Sequence, residues 1–338
     1  MSVTLCSYLA EGDQGSLGED VLDGLTRPFK ELPPKHFYDQ RGAELFDQIC
    51  TLPEYYPTRA ERAILIERSD DVAALTSAVE LVELGSGTAA KSRLLLSALA
   101  DAGTLRRYIP VDVTEEMIRD TGAALATEFP GLEVHGIVGD FERHLTHLPA
   151  PAGPRVVAML GGTIGNFTPG ARRRFLRDMG RLLGHDGALL VGVDLVKDPA
   201  RIEAAFDDSA GVTAAFNRNF LQVINRELHA DFEPNRFDHV AFFNREHEWI
   251  EMRLRAQERM TVHVADLGLT VEFAAREELR TEISAKFTPQ RLSADLAAAR
   301  LEPMELFTDA DGLFGLVLAR PAASARPHAR ARVRVGAA

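Results

Sequence analysis

Residues 79–92, Val-Glu-Leu-Val-Glu-Leu-Gly-Ser-Gly-Thr-Ala-Ala-Lys-Ser, constrain this chain more than any other stretch. An apolar run of strand length ends at Leu84 and breaks at once into Gly85-Ser86-Gly87, and a helix-compatible segment, residues 89–99, follows. A strand feeding a glycine turn that feeds a helix aims backbone N–H groups and a helix N-terminus at one spot, where a small polar ligand can be held. The stretch therefore predicts an α/β core that binds a nucleotide-like molecule.

Three kinds of ligand fit the turn. Gly85, Gly87 and Ala90 satisfy the Gly-x-Gly-x-x-Gly/Ala fingerprint of dinucleotide folds, which would suit an NAD-dependent oxidoreductase. Residues 85–92 match a P-loop except at Ala90, which stands where that loop needs a glycine for backbone approach to phosphate. Residues 83–88, Glu-Leu-Gly-Ser-Gly-Thr, are also similar to the turn of S-adenosylmethionine-dependent methyltransferases, where the glycines make room for the methionine part of the cofactor. A tight strand–helix turn with no ligand is the plain alternative.

The following segments separate these readings. Residues 107–113 read as a second buried strand that ends in Asp112, an acid able to accept from both hydroxyls of a ribose. Residues 133–141 form a third run, ending in Asp140 and Phe141. An acid that accepts from an adenine amino group, beside a ring that stacks on the base, suits an adenosyl pocket. Residues 155–160 and 187–194 complete five apolar strands separated by helix-length segments, which predicts a parallel, doubly wound sheet with ligands at the strand C-termini. Near the end of the chain, two strand-like runs, residues 302–307 and 313–319, flank Asp309-Ala310-Asp311-Gly312, a hairpin signal. A Rossmann-like sheet closed by an antiparallel hairpin is typical of class I S-adenosylmethionine-dependent methyltransferases, whereas dinucleotide folds usually repeat a second parallel half.

Composition removes other classes. No stretch approaches the about 18 unbroken apolar residues of a membrane helix, and the N-terminus lacks the basic start and long apolar region of a secretory signal. Cys6 and Cys50 cannot make a disulfide framework, and no Cys/His spacing resembles a metal site, so a cytoplasmic protein without a structural metal is expected. A net charge of −12 with scattered Lys and Arg argues against nucleic acid as a partner. The Arg-, Ala- and Pro-rich tail, residues 322–338, is expected to be disordered.

The expected methyltransferase unit spans residues 60–197 with 286–321. That leaves residues 1–59 and 198–285, rich in aromatic and polar groups, as a second, α+β unit that lids the site and selects the acceptor. Residues 246–256, 258–264 and 269–275 are expected to pair as strands, with Glu251, Arg253 and Arg255 facing water.

Several longer motifs carry a closer likeness. They are residues 32–38 (Leu-Pro-Pro-Lys-His-Phe-Tyr), 52–59 (Leu-Pro-Glu-Tyr-Tyr-Pro-Thr-Arg), 83–88, 162–166 (Gly-Thr-Ile-Gly-Asn), 194–198 (Asp-Leu-Val-Lys-Asp), 211–219 (Gly-Val-Thr-Ala-Ala-Phe-Asn-Arg-Asn) and 282–287 (Glu-Ile-Ser-Ala-Lys-Phe). On these, the chain resembles the histidine Nα-methyltransferases of ergothioneine biosynthesis, which trimethylate histidine to hercynine. The resemblance implies that Gly85, Lys91, Asp112, Asp140 and Phe141, with Ser86 and Gly87 in the same turn, hold S-adenosylmethionine. It implies that Tyr55, Glu282 and Ser284 hold the imidazole and that Asn166 holds the polar backbone end of the amino acid. Tyr38, Phe46 and Gly161 would border the amine, Tyr38 orienting it, and Thr213 and Met252 would form the pocket wall. A monomer acting on a small molecule is expected. One position departs from the family: Phe206 stands where a tyrosine helps Asn166 hold the substrate carboxylate. The missing hydroxyl removes a charge-assisted hydrogen bond of about 1.5–3 kcal/mol. That predicts a weaker grip on histidine and leaves a premethylated histidine, or another small amine, as an alternative acceptor.

Overall fold

The computed structural model describes residues 3–9 and 15–322, so the tail from residue 323 lies outside the described residues. In chain order the strands are β1 (Val3–Ser7), β2 (Lys30–Glu31), β3 (Glu80–Leu84), β4 (Arg107–Asp112), β5 (Glu133–Val138), β6 (Arg155–Met159), β7 (Ala188–Asp194), β8 (Phe237–Asn244), β9 (Trp249–Ala256), β10 (Met260–Val264), β11 (Leu269–Phe273), β12 (Glu278–Ala285), β13 (Leu301–Thr308) and β14 (Phe314–Pro321). The helices are α1 (Gly15–Thr26), α2 (Gln40–Thr51), α3 (Tyr56–Thr76), α4 (Ser92–Asp101), α5 (Glu115–Glu128), α6 (Phe141–His144), α7 (Pro169–Leu182), α8 (Pro199–Phe206), α9 (Val212–Leu228) and α10 (Pro289–Ala298).

The larger sheet has the order β1-β5-β4-β3-β6-β7-β14-β13. β1 and β3–β7 are parallel, while β14 runs antiparallel to β7 and β13 antiparallel to β14. β3, β6 and β7 are buried at every position, which is why they read as unbroken apolar runs: helices cover both faces of a parallel sheet. Two of the buried side chains of β3 are carboxylates. Glu80 pairs with Arg107 and Arg155, and Glu83 accepts from the Tyr108 hydroxyl at 2.5 Å. The winding direction reverses between β3 and β6. In a doubly wound sheet this is where a crevice opens, and here the residues beyond β3 and beyond β6 border it. The closing hairpin is fastened by Asp309, whose Oδ1 accepts from the N–H groups of Leu313 (2.8 Å) and Phe314 (2.7 Å).

Three expectations from sequence need correction. Val3–Ser7, grouped by sequence with the second unit, adds a strand to the larger sheet, pairing in register with β5 from Val3↔Val134 to Ser7↔Val138. Five residues with no periodic neighbour carry too little signal to be placed by pattern. The helix expected from Ala89 starts instead at Ser92, because Ala89 takes a left-handed conformation (φ 52) that extends the glycine turn. Glu251 does not face water. β9 is an inner strand between β8 and β12, and the Glu251 carboxylate is 1% exposed, accepting from Trp249 Nε1 (2.8 Å) and Arg253 Nε (3.0 Å).

The second sheet has the order β2-β12-β9-β8, and β10 and β11 form a separate antiparallel pair. Helix α2 is started by Asp39, which accepts from Gly42 N at 2.8 Å and from Asn219 Nδ2 of α9 at 2.8 Å, so one cap also ties two helices together. Between them, Phe37 stacks on Phe216 (4.6 Å between ring centroids) and tilts against Phe220 (4.9 Å).

Candidate active site

The turn after β3 has Gly85 at φ 73 and Gly87 at φ 48, conformations a side chain disfavours. Gly85 N donates to Val111 O (2.8 Å) and Gly87 N to Asp112 Oδ2 (2.9 Å), so the turn is folded onto the end of β4. Asp112 also accepts from Thr114 N (3.1 Å) through Oδ1. A carboxylate offers about four acceptor sites, which leaves capacity for ribose hydroxyls. Asp140 caps α6, accepting from Glu142 N (2.8 Å), and Phe141 follows it. A Cβ placed on Gly85 would lie 3.9 Å from the Phe141 ring, so the structure brings the glycine turn and this ring together. Ser86 Oγ is buried with no hydrogen-bond partner, an orphan that a polar ligand in the turn would satisfy. The turn, Asp112 and the Asp140–Phe141 pair therefore fit an adenosyl amino acid.

Lys91 lies between this turn and the loop after β6. Its Nζ is ion-paired with Glu61 of α3, which is fully buried and also accepts from Gly161 N at 2.8 Å and 3.0 Å. Burial opposes the charge on Lys91, but Glu61 more than compensates and holds the ammonium above its usual range. A Cβ on Gly161 would stand 3.5 Å from Lys91 Nζ, so Gly161 and Lys91 border the same space. Gly192 on β7 makes room for Glu61, since a Cβ there would meet Glu61 Oε1 at 2.2 Å.

On the far side, β12 presents Glu282 and Ser284 on one face. Met252, fully buried on β9, is paired in register with Glu282 and shares that face. Rings run along the opposite wall: Tyr38 to Phe46 (5.4 Å), Phe46 to Tyr55 (6.2 Å) and Tyr55 to Phe206 (6.2 Å). Phe216 of α9 touches both Tyr38 and Phe46, and Thr213, buried one turn earlier on that helix, donates its N–H to Asp208 Oδ1 at 2.7 Å. The turn carrying Asn166 fits against the end of β12 because Gly165 has no side chain; a Cβ there would be 2.9 Å from Ala285 O and 3.2 Å from Ser284 Oγ. Tyr38 is 47% exposed, with its ring packed edge-on against Phe46 and Phe216. Burial, with Glu282 adding to it, pushes the hydroxyls of Tyr38 and Tyr55 far above their ordinary range. Burial likewise pushes the Glu282 carboxyl up to about 7, with Lys286 pulling the other way.

The residues expected from sequence thus lie in two neighbouring groups, one around the glycine turn and one between β12 and the run of rings. Sequence reasoning assigned no role to Glu61, Tyr56, Asp194, Lys197 and Lys286. Asp194, at the end of β7, accepts from the Tyr56 hydroxyl (3.0 and 2.9 Å) and pairs with both Lys286 (2.9 Å) and Lys197. Burial pulls Lys197 down to about 8, against the pull of Asp194. Their presence inside the motifs at 52–59, 194–198 and 282–287 was the available signal; Glu61, on a helix among other charged residues, had none.

The family described as histidine-specific, S-adenosylmethionine-dependent methyltransferase matches residues 17–321. The chain belongs to this family. It is 52% identical over 320 residues to the histidine N-alpha-methyltransferase of Mycolicibacterium smegmatis, covering 94% of this chain and 99% of that one. It is likewise 52% identical over 321 residues to that of Mycobacterium tuberculosis, with the same coverage of 94% and 99%. Ergothioneine biosynthesis protein 1 of Neurospora crassa is 34% identical over 200 residues, which are 58% of this chain and 23% of that protein. As a member of this family, the chain takes S-adenosylmethionine as its methyl donor.

Proposed function

We propose that this chain transfers methyl groups from S-adenosylmethionine to the α-amine of L-histidine, giving Nα,Nα,Nα-trimethylhistidine (hercynine) for ergothioneine biosynthesis. Its family and its 52% identical relatives support this reading. The observation that carries it is that the Glu282 charge acts on the Tyr38 and Tyr55 hydroxyls, that Lys286 touches both Ser284 and the Phe206 ring, and that these rings and Phe46 form one run, next to a cofactor turn reached through Lys91 and Gly161.

S-adenosylmethionine supplies a methyl group on a sulfonium sulfur, which the amine lone pair displaces in line. The protein's share is placement, which can contribute several kcal/mol by itself. In this reading Gly85, Ser86, Gly87, Asp112, Asp140 and Phe141 hold the adenosyl part, and Lys91 offers its ammonium to the cofactor's carboxylate. Glu282 accepts from one ring N–H of the imidazole, Ser284 and Tyr55 meet the rest of the ring, and Asn166 takes the polar backbone end. The rings of Phe46 and Phe206 exclude water and let a substituted amine turn between rounds. Tyr38 stays a neutral hydroxyl at all working pH values, so it orients the amine and the proton leaves to water.

Phe206 favours one second reading, because its ring lacks the hydroxyl that would anchor a free amino-acid carboxylate. That leaves a premethylated histidine, or another small amino acid or amine, as the alternative acceptor. The proposal further takes residues 60–197 with 286–321, joined by β1, as the methyl-transferring unit and the other residues up to 285 as acceptor-selecting. It takes the chain as a cytoplasmic monomer acting on a free small molecule, without nucleic acid or membrane. The net charge of −12 supports the absence of nucleic acid, and no helix among the described residues is long and apolar enough to cross a membrane. Steady-state kinetics with histidine and with its mono- and dimethylated forms test the choice. Comparable turnover of all three supports histidine as the starting acceptor, and turnover of the methylated forms alone overturns it.

A further inference from the structure

β12 and its continuation place Glu282, Ser284 and Lys286 at alternate positions. Lys286 is completely buried, an unusual place for an ammonium unless every N–H has a partner. Its Nζ lies 2.9 Å from Asp194 Oδ2, 2.9 Å from Ser284 Oγ and 4.6 Å from the centroid of the Phe206 ring. An ammonium has three donors and no lone pair, so it can only donate, and Ser284 Oγ must accept from it. A hydroxyl whose oxygen accepts from a cation keeps its own proton for another acceptor. Ser284 is thereby set as a donor while the Glu282 carboxylate, two residues away, remains an acceptor.

We propose that Lys286 is a positioning residue that fixes Ser284 as a donor, so that the Glu282–Ser284 pair selects a neutral imidazole with one N–H and one bare nitrogen and rejects the imidazolium. The inference rests on the proposed placing of the imidazole against Glu282 and Ser284. A protonated ring would present a second N–H to Ser284 and bring a second cation towards Lys286. The surrounding charges do not reverse this. Asp194 is shared between Lys286 and Lys197, Arg201 stacks on Tyr56 at 5.7 Å with Asp309 near Lys197, and Tyr38, Tyr55 and Tyr56 are neutral. Glu282 is the acid that meets the ring N–H, and its buried carboxyl, raised to about 7, offers that N–H an oxygen without carrying a full charge to balance an imidazolium at acidic pH.

The test measures dissociation constants of L-histidine and of 1,2,4-triazolylalanine for the full chain with S-adenosylhomocysteine, between pH 5.5 and 7.5. The triazole ring stays neutral throughout, so the histidine-to-triazolylalanine ratio cancels the titration of Glu282 and reports ring protonation. With an imidazole pKa of about 6.5, the ratio is expected to rise about tenfold towards pH 5.5 in the unmodified chain. In Lys286→Met, and in Lys286→Gln, which keeps a neutral donor near Asp194 if the first variant does not fold, it is expected to stay within about twofold. A flat ratio in the unmodified chain, or an equal rise in both kinds of protein, overturns the proposal. If Glu282→Gln and Ser284→Ala both leave histidine affinity unchanged, the imidazole lies elsewhere and the underlying reading of the site falls instead.

Discussion

Replacing Glu282 by Gln should make the protein more stable and a poorer enzyme at once. Burial raises this carboxyl from 4.5 to about 7, with Lys286 acting in the opposite sense. The folded state therefore binds the Glu282 proton more tightly than the unfolded chain does. The stability linked to that proton is fully present below pH 4.5 and lost as pH rises through about 7, beyond which the buried charge exerts its whole penalty. At about 1.4 kcal/mol per pH unit the shift corresponds to an upper bound of about 3 kcal/mol. Water reaches part of the side chain, which reduces the expected penalty to about 1–2 kcal/mol. Glutamine has the same shape and no charge, so the variant should melt a few degrees above the unmodified chain at pH 8 and together with it at pH 4.5. Its amide oxygen can still accept from an imidazole N–H but without charge, so the KM for histidine should rise about tenfold while affinity for S-adenosylhomocysteine is unchanged. Thermal denaturation at the two pH values, with histidine kinetics at pH 8, decides the matter. Equal melting temperatures at pH 8, or a gain that is the same at both pH values, would refute the reasoning.

Three further substitutions probe other parts of the site. Phe206→Tyr should lower the KM for histidine by about ten- to a hundredfold by restoring a hydroxyl for the carboxylate; an unchanged KM means the carboxylate is held in another way. Gly192→Ala should cost about 1–3 kcal/mol in thermal unfolding, because its Cβ would stand 2.2 Å from Glu61 Oε1. It should also weaken cofactor binding through displacement of Lys91 and Gly161; retention of both stability and binding would remove Glu61 from its assigned place. Asp112→Ala should reduce S-adenosylhomocysteine affinity at least tenfold in calorimetry, since it removes the proposed acceptor for the ribose and frees the Gly87 turn, and undiminished affinity would rule out this role.

The parallel strands of the methyltransferase sheet were legible because burial on both faces writes long apolar runs, and the glycine turn because the left-handed φ values at 85 and 87 favour glycine. The closing hairpin was legible from its turn residues, which the Asp309 side chain organises. What local pattern could not show depends on distant partners. β1 is five residues that make sense only beside β5, and the buried Glu251 looks like any surface acid until its strand is seen between two others. The same holds within the site. Glu61 pairs with Lys91 thirty positions away, and Lys286 with Asp194 across the sheets, so neither contact has a sequence period. Tyr38, Phe46, Tyr55, Glu282 and Ser284 came from the family likeness of their motifs, not from spacing.

The most direct test of the proposed activity is mass spectrometry of the product formed when the purified chain is incubated with S-adenosylmethionine and L-histidine, alongside its mono- and dimethylated forms and the other common amino acids. Three methyl groups on the α-amine of histidine, with fragmentation leaving the imidazole unmodified, are the predicted result. Methylation confined to premethylated histidine or to another amino acid, or no transfer to any of them, would contradict it.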